Sequence, residues 1–401
     1  ICPTEVDRCV NASGTYGVQR YTYSRVVDLS GYGGCGDDWR FGWSLCCRNN
    51  AITSLTNPGN QNLYLETRLN NTNNYCNNSP TFTNAPTPFY CLGEAISYNP
   101  GAVDADGDSL DYALVAARGG TFGTLGYNNG YSATQPIRNN GGAHAVVLDP
   151  LTGTMTVTPN IQQVAVVSYR VREFRNGVQV GETVRDVQFV IRACSGNTSP
   201  TVSGINGTNV YSMDVCAGTP VSFTMNSTDP DGGQVVSMSW NQGITGASFS
   251  TTTGALPVGT FSWTPTVADI GNHVFTVGVV DNACPLTGSN DYGFSIRVMP
   301  PNTPAQAGDD QQVCTNAATL AATLPYPGIQ GTWTVESGSG TFANANSPTT
   351  TVSGLGVGNN VFRWTLNFPA CGNSSDLVTV VRYSPTHAAA YAGEDQRLCR
   401  P

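Results

Sequence analysis

The chain has 401 residues, and its net charge of −9 and pI near 4.7 are the wrong sign for nucleic acid, whose phosphates need a basic footprint. Only 11% of the residues are charged, against 45 glycines, 24 prolines and 13 cysteines, a composition that excludes an ordinary cytosolic enzyme and fits a secreted, turn-rich β protein. No apolar run approaches the roughly 20 residues of a membrane span, and all 18 basic residues are arginines, which rules out lysine–asparagine cross-links and leaves disulfides as covalent staples.

In chain order, residues 1–76 read as a cysteine-rich β remnant. Trp39, Phe41, Trp43 and Leu45 alternate with Arg40, Gly42 and Ser44, the period of a half-buried strand. Six cysteines lie here (Cys2, Cys9, Cys35, Cys46, Cys47 and Cys76), and they allow fifteen pairings that the sequence cannot choose among. Zinc is a competing reading for the vicinal Cys46-Cys47, without nearby histidines to support it. Asn-rich polar segments before a proline then recur as NNSPTF at 77–82, NTSPTV at 197–202 and NTPAQAG at 302–308, and they punctuate the chain at sandwich-sized intervals. They bound β-sandwiches at 77–195, 196–300 and 301–385, with a further truncated repeat starting at 386–401. Val167, Tyr169 and Val171 alternate with polar residues, and Asn176-Gly177 is a strong hairpin signal between two strand-like runs. No stretch carries a convincing helical period. An all-β chain of tandem immunoglobulin-like or PKD-like sandwiches is expected.

The modules repeat. Thirteen residues separate Cys91 from Asp104, and thirteen separate Cys216 from Asp229. AGDDQQVC at 307–314 returns as AGEDQRLC at 392–399, a period of 85 residues (399 − 314), which marks the chain as a window onto a longer array.

The most chemical stretch is Asp104-Ala-Asp106-Gly-Asp108. Short carboxylates at alternate positions around a glycine turn can converge on a hard cation such as Ca²⁺, although the bidentate glutamate of an EF-hand loop is missing, since position 115 is valine. An Asx-rich turn that caps itself is the alternative. Asp229-Pro-Asp231-Gly-Gly keeps two of the three carboxylates, and Glu173 and Asp281 fall at matching acidic positions later in the two modules. Catalytic candidates are thin. His144, His273 and His387 sit apart, no nucleophile elbow occurs, and a glycosidase pair of Glu173 and Asp186 arises readily by chance on alternating strands. Tyr127, Tyr131 and Trp240 could stack on sugar rings, with core packing the commoner use. Cys91 and Cys194 bracket the first sandwich. Cys216 and Cys284 are the only two cysteines in the second and Cys314 and Cys371 the only two in the third, so each pair can close within its own module, and Cys399 is left over for the next repeat.

The segments CGDDWRFGWSLCCRNNAI, NNSPTFTNAPTPFYCLGEAISYNPGAVDADGDSLDYAL and GTFSWTPTVADIGNHVFTVGVVDNACP resemble the cadherin-like and PKD-like modules of giant Bacteroidota cell-surface proteins. These include gliding-motility-associated adhesins exported by the type IX secretion system. AGDDQQVC followed by GTWTVESGSGTF resembles their repeated PKD-like module. The resemblance implies an extracellular, cell-surface location and a structural calcium role for the Asp clusters; Gly233, in place of a third Asp, puts the second cluster in doubt. The expected function is that of a non-enzymatic structural or adhesive segment of a surface fibre that associates with itself and binds an unidentified surface or glycan. The alternative is a carbohydrate-binding accessory region of a secreted hydrolase.

Overall fold

The computed structural model describes residues 11, 20–29, 39–70, 72, 76–86, 88–139, 146–194, 196–284, 286–384, 393 and 394. His144, His387, Cys2, Cys9, Cys35, Cys399 and nearly all of the expected repeat at 386–401 lie outside these residues. The chain divides into two compact units, residues 1–213, 220–264 and 271–297 in one and residues 214–219, 265–270 and 298–401 in the other. The described residues form strands and three short 3₁₀ turns.

In the first unit, the period-two runs become a long hairpin, Gln163–Arg175 with Val178–Arg192. It turns at Asn176 and Gly177, both with positive φ (52° and 78°), the primed geometry that matches strand twist. Ser109–Leu114 pairs on one side of the hairpin, Leu63–Leu69 on the other, and Trp39–Leu45 forms the outer edge. Phe89–Cys91 joins the same sheet, parallel to the end of Val178–Arg192. A three-stranded sheet of Ile96–Tyr98, Met155–Val157 and Val147–Leu148 contributes to the same core, in which Tyr98, Tyr169, Phe189 and Met155 are fully buried.

The boundary expected at residue 76 is therefore crossed by backbone pairing. Leu69, Arg68 and Thr67 lie opposite Gly181, Glu182 and Thr183, so the segment 39–69 extends the first sandwich. Buried polar contacts reinforce the join: Arg48 donates to Asp186 at 2.7 Å with both side chains nearly inaccessible, and Glu66 accepts from Tyr64, Arg68 and Arg118.

Residues 201–299 supply a second sandwich. One sheet runs Thr201–Val202, Val221–Thr228, Val258–Trp263, Ser248–Thr251, and the other Ser212–Cys216, Ser289–Met299, Gly271–Val280, Ser237–Trp240. Burial alternates without a break along Val221–Thr228. Phe261, Phe275 and Phe294 stack through the centre, with ring centroids 4.5 and 5.1 Å apart along the row.

In the second unit, Gln311–Val313, Gly372–Arg382, Gly358–Phe368 and Gln330–Ser337 face Ala317–Ala321, Thr349–Ser353 and Thr341–Phe342. Trp333 and Trp364 meet at 5.0 Å, and each indole N–H finds a backbone carbonyl, of Ser347 and Thr323 respectively.

The cysteines follow the expectation once and break it twice. Cys91 and Cys194 are bonded, because parallel pairing sets Cys91 beside Arg192. Cys216 is bonded to Cys371, not to Cys284, and Cys314 is an exposed free thiol. The reason is strand length. Val313 pairs with Arg382 at the far end of the eleven-residue strand that begins just after Cys371, a run of roughly 35 Å, where a disulfide bridges Cα atoms less than about 7 Å apart. Ser289–Met299 has the same length; Cys284 precedes its start, while Ala217 donates to Met299 at its end. Cys284 is disulfide-bonded, but not within the pair expected for it. Cys46 and Cys47 are bonded to one another.

Candidate metal centres

Asp104, Asp106 and Asp108 lie on the turn between Ala102–Val103 and Ser109–Leu114, which Gly107 reverses at φ 78°. Their carboxylate oxygens fall within 4.8 Å of one another. Asp104 Oδ1 accepts the backbone N–H groups of Asp106 and Asp108, both at 3.0 Å, which fixes the turn and leaves Oδ2 buried without a partner.

Glu173 arrives from the end of Gln163–Arg175, where a bulge between Glu173 and Phe174 shifts the register. It is 0% exposed. Asn77 donates its side-chain amide to Oε2 at 2.5 Å, and Oε1 is buried with no hydrogen bond. Gly181 sits opposite Glu173 in the ladder, and a Cβ there would come within 2.5 Å of both carboxylate oxygens. Burial pushes the Glu173 carboxyl up to about 7, with the charges of Asp104, Asp108 and Asp106 adding to the rise against the Asn77 amide. Burial also raises Asp104. Asp106 is lowered, chiefly by the backbone N–H of Asn78, which donates at 2.6 Å, and by the Asn78 side chain.

The second sandwich repeats the arrangement, with an acid whose two oxygens are both hydrogen-bonded in the place of Glu173. Asp231 N–H donates to Asp229 Oδ1 at 2.9 Å, and Asp229 Oδ2 is buried without a partner. Asp281 is 4% exposed; Asn197 donates its amide to Oδ2 at 3.0 Å, and the backbone of Ala283 and Gly288 donates to Oδ1. Thr198 N–H reaches Asp231 as Asn78 reaches Asp106. A Cβ on Gly288 would lie 2.5 Å from Asp281 Oδ2, matching Gly181. Burial raises Asp229, helped by the charges of Asp281 and Asp231.

The two centres also differ at an ion pair. Arg175 grips Asp108 with two hydrogen bonds of 2.7 Å, approaches Asp106 at 3.2 Å, and donates to the Cys76 carbonyl. Aligned on the shared residues, Asp108 matches Gly233 and Arg175 matches Ala283, so acid and base are both replaced in the second sandwich. With every carboxylate ionised, four acids less one guanidinium and three acids alone leave the same charge. Gly233 therefore removes a carboxylate without changing the net charge of the centre.

The structure brings Asp104, Asp106, Asp108 and Glu173 together, and likewise Asp229, Asp231 and Asp281. Sequence reasoning missed Asn77 and Asn197, which looked like linker polarity, and the glycines behind each acid. Calcium takes six to eight oxygens, and buried, unpartnered carboxylate oxygens of the kind found on Asp104, Glu173 and Asp229 suit that ion. Asp104, Asp106 and Glu173, and in the second sandwich Asp229, Asp231 and Asp281, would hold it.

Other candidates have structural partners. Asp186 is held by Arg48 and Ser168, away from Glu173. Tyr127 accepts the Ala117 N–H, Trp240 stacks on Phe249, and His273 packs against Trp263.

No family model matches the sequence, and no curated protein matches it. Solved structures similar to the chain include an I-band fragment of titin (14% identity, 77% of this chain and 100% of that chain, TM-score 0.29). Extracellular domains 3–5 of Drosophila OTK give 10% identity over 77% of this chain and 99% of that chain, with a TM-score of 0.32. The PKD domain from KIAA 1837 protein gives 26% identity over 22% of this chain and 96% of that chain, with a TM-score of 0.20. Among the described residues no helix is long and apolar enough to cross a membrane.

Proposed function

We propose that the chain is a non-enzymatic structural and adhesive segment of an extracellular, cell-surface fibre, in which calcium fixes the start of each of the first two sandwiches. The observation that carries this reading is the doubled acid centre. Each joins a linker asparagine to a turn and a buried acid of the sandwich that follows it, so a bound cation would stiffen the linker against its module. Tandem sandwiches, disulfides and scarce charge support the same reading. The resemblance noted above extends it to a gliding-type adhesin of Bacteroidota exported by type IX secretion. Self-association fits a surface of neutral Thr, Ser, Asn and Gly, because only five arginines follow residue 192 and little charge repulsion separates chains.

The test is thermal unfolding of the full chain with calcium and with excess chelator. Binding to the folded form alone raises Tm by mass action. Calcium should raise Tm for the first unit, and curves that superimpose under the two conditions would refute the calcium reading.

A further inference from the structure

A groove of about 740 Å³ opens within the first unit, between the three-stranded sheet of the first sandwich and Tyr211, Tyr292 and Gly293 of the second. Its floor follows from one stretch of sequence, LTGTMTVTP at 151–159, in which Thr152, Thr154, Thr156 and Thr158 recur with the period of a strand. Met155 and Val157 are buried in the core, so Thr156 is turned outward and is exposed. Thr154 is already engaged: its Oγ1 accepts from Asn99 at 2.9 Å and from the Gly293 N–H at 3.1 Å, which ties the floor to the opposite wall. The Thr156 and Thr158 hydroxyls carry no hydrogen bond among the described residues. The wall is aromatic. Tyr211 and Tyr292 stack at 5.6 Å and 10°, and Tyr211 donates its hydroxyl to the Val202 carbonyl, which leaves ring carbon to line the groove. No arginine lines it, and Asp149 is the one ionisable acid.

We infer that this groove binds a neutral oligosaccharide. The inference rests on the adhesive reading and supplies its ligand. A row of hydroxyls facing a carbon wall is complementary to a sugar chain, which presents C–H patches on one side and hydroxyls on the other. The volume lies in the range of built ligand sites, about 300–1,000 Å³. A polyanion has no cation to meet it here, and Asp149 repels it.

Titration calorimetry on the full chain in calcium, with hexasaccharides of glucose, mannose, xylose and N-acetylglucosamine and with alginate as the acidic control, tests the site. At least one neutral hexasaccharide should bind with a submillimolar Kd, and alginate should not. Thr156→Val keeps shape and strand propensity and should weaken binding severalfold; Tyr292→Ala should weaken it at least tenfold. A folded chain that binds no neutral hexasaccharide at millimolar concentration overturns the inference, as does binding that Thr156→Val leaves unchanged or a preference for alginate. A chain that melts higher in calcium yet binds no sugar loses the groove and keeps the fibre reading. Sugar binding without a calcium response keeps the groove and loses the calcium reading.

Discussion

Glu173 keeps a carboxylate out of water beside three other acids, with one oxygen unanswered by any hydrogen bond. Such a charge is costly until a cation meets it. Glu173→Gln removes the charge and keeps the shape, so calorimetry should show the variant melting above the parent in chelator and below it in calcium. Arg175 and Asp108 make a second test, since the other centre has neither. Arg175→Ala alone leaves Asp108 uncompensated and should raise calcium affinity severalfold while lowering the chelated Tm. Adding Asp108→Gly should return affinity close to the parent, a coupling that a double-mutant cycle measures directly. Asp291 provides a pH test outside the metal centres. Burial pushes its carboxyl from 3.8 up to about 7, against the Asn99 N–H and the Asn84 amide. The folded state then holds a proton that the unfolded chain has released, so stability falls as pH rises through that window. Asp291→Asn should flatten the slope of Tm between about pH 4 and 7.

Strands were legible because a two-residue period states the element, and on an inner strand its buried face as well: Val167, Tyr169 and Val171 are buried, whereas Trp39–Leu45 forms the expected strand at the sheet edge but leaves Phe41 and Leu45 exposed. The acids were legible for a similar reason, since a glycine turn and alternating aspartates are local. Asn77, Gly181 and Arg175 were not, because they act on Glu173 or Asp108 across the fold and carry no local pattern. The cysteine pairs failed at the scale of the element. Counting two per module is sound only if both lie at one end of a sandwich, and an eleven-residue strand puts them at opposite ends. Non-reducing peptide mapping should recover Cys91–Cys194 and Cys216–Cys371, with Cys314 open to alkylation in the folded chain. Cys371→Ser should cost about 2–5 kcal/mol in the unit that contains it.

For the whole molecule, punctuation at residue 76 looked like a domain boundary, yet Leu63–Leu69 and the buried Arg48–Asp186 pair belong to the first sandwich. A chain that starts at residue 77 leaves Asp186 buried without its arginine, which costs about 3–5 kcal/mol. Its first unit should melt lower by on the order of 10 °C, and a matching Tm would show that the N-terminal strands are dispensable. Self-association is read by light scattering on the full chain, where a strictly monomeric particle at micromolar concentration would defeat it and leave the calcium and disulfide predictions standing.

Phe89–Cys91 in the first sandwich and Gln311–Val313 in the third each lie parallel to the last strand of the same module. When tension is applied through the two ends of such a module, the paired strands slide along one another, and every hydrogen bond of the pair is loaded together rather than peeled in turn. The pairs are not equally protected. Cys91–Cys194 clamps the pair in the first sandwich, whereas Cys314, at the matching place in the third, is a free thiol. Under a steady pull in oxidising buffer the third sandwich should yield before the first and extend. The stretch from Cys91 to Cys194, a sequence separation of 103, should stay closed until a reductant is added, so the chain would lengthen under strain in a fixed order.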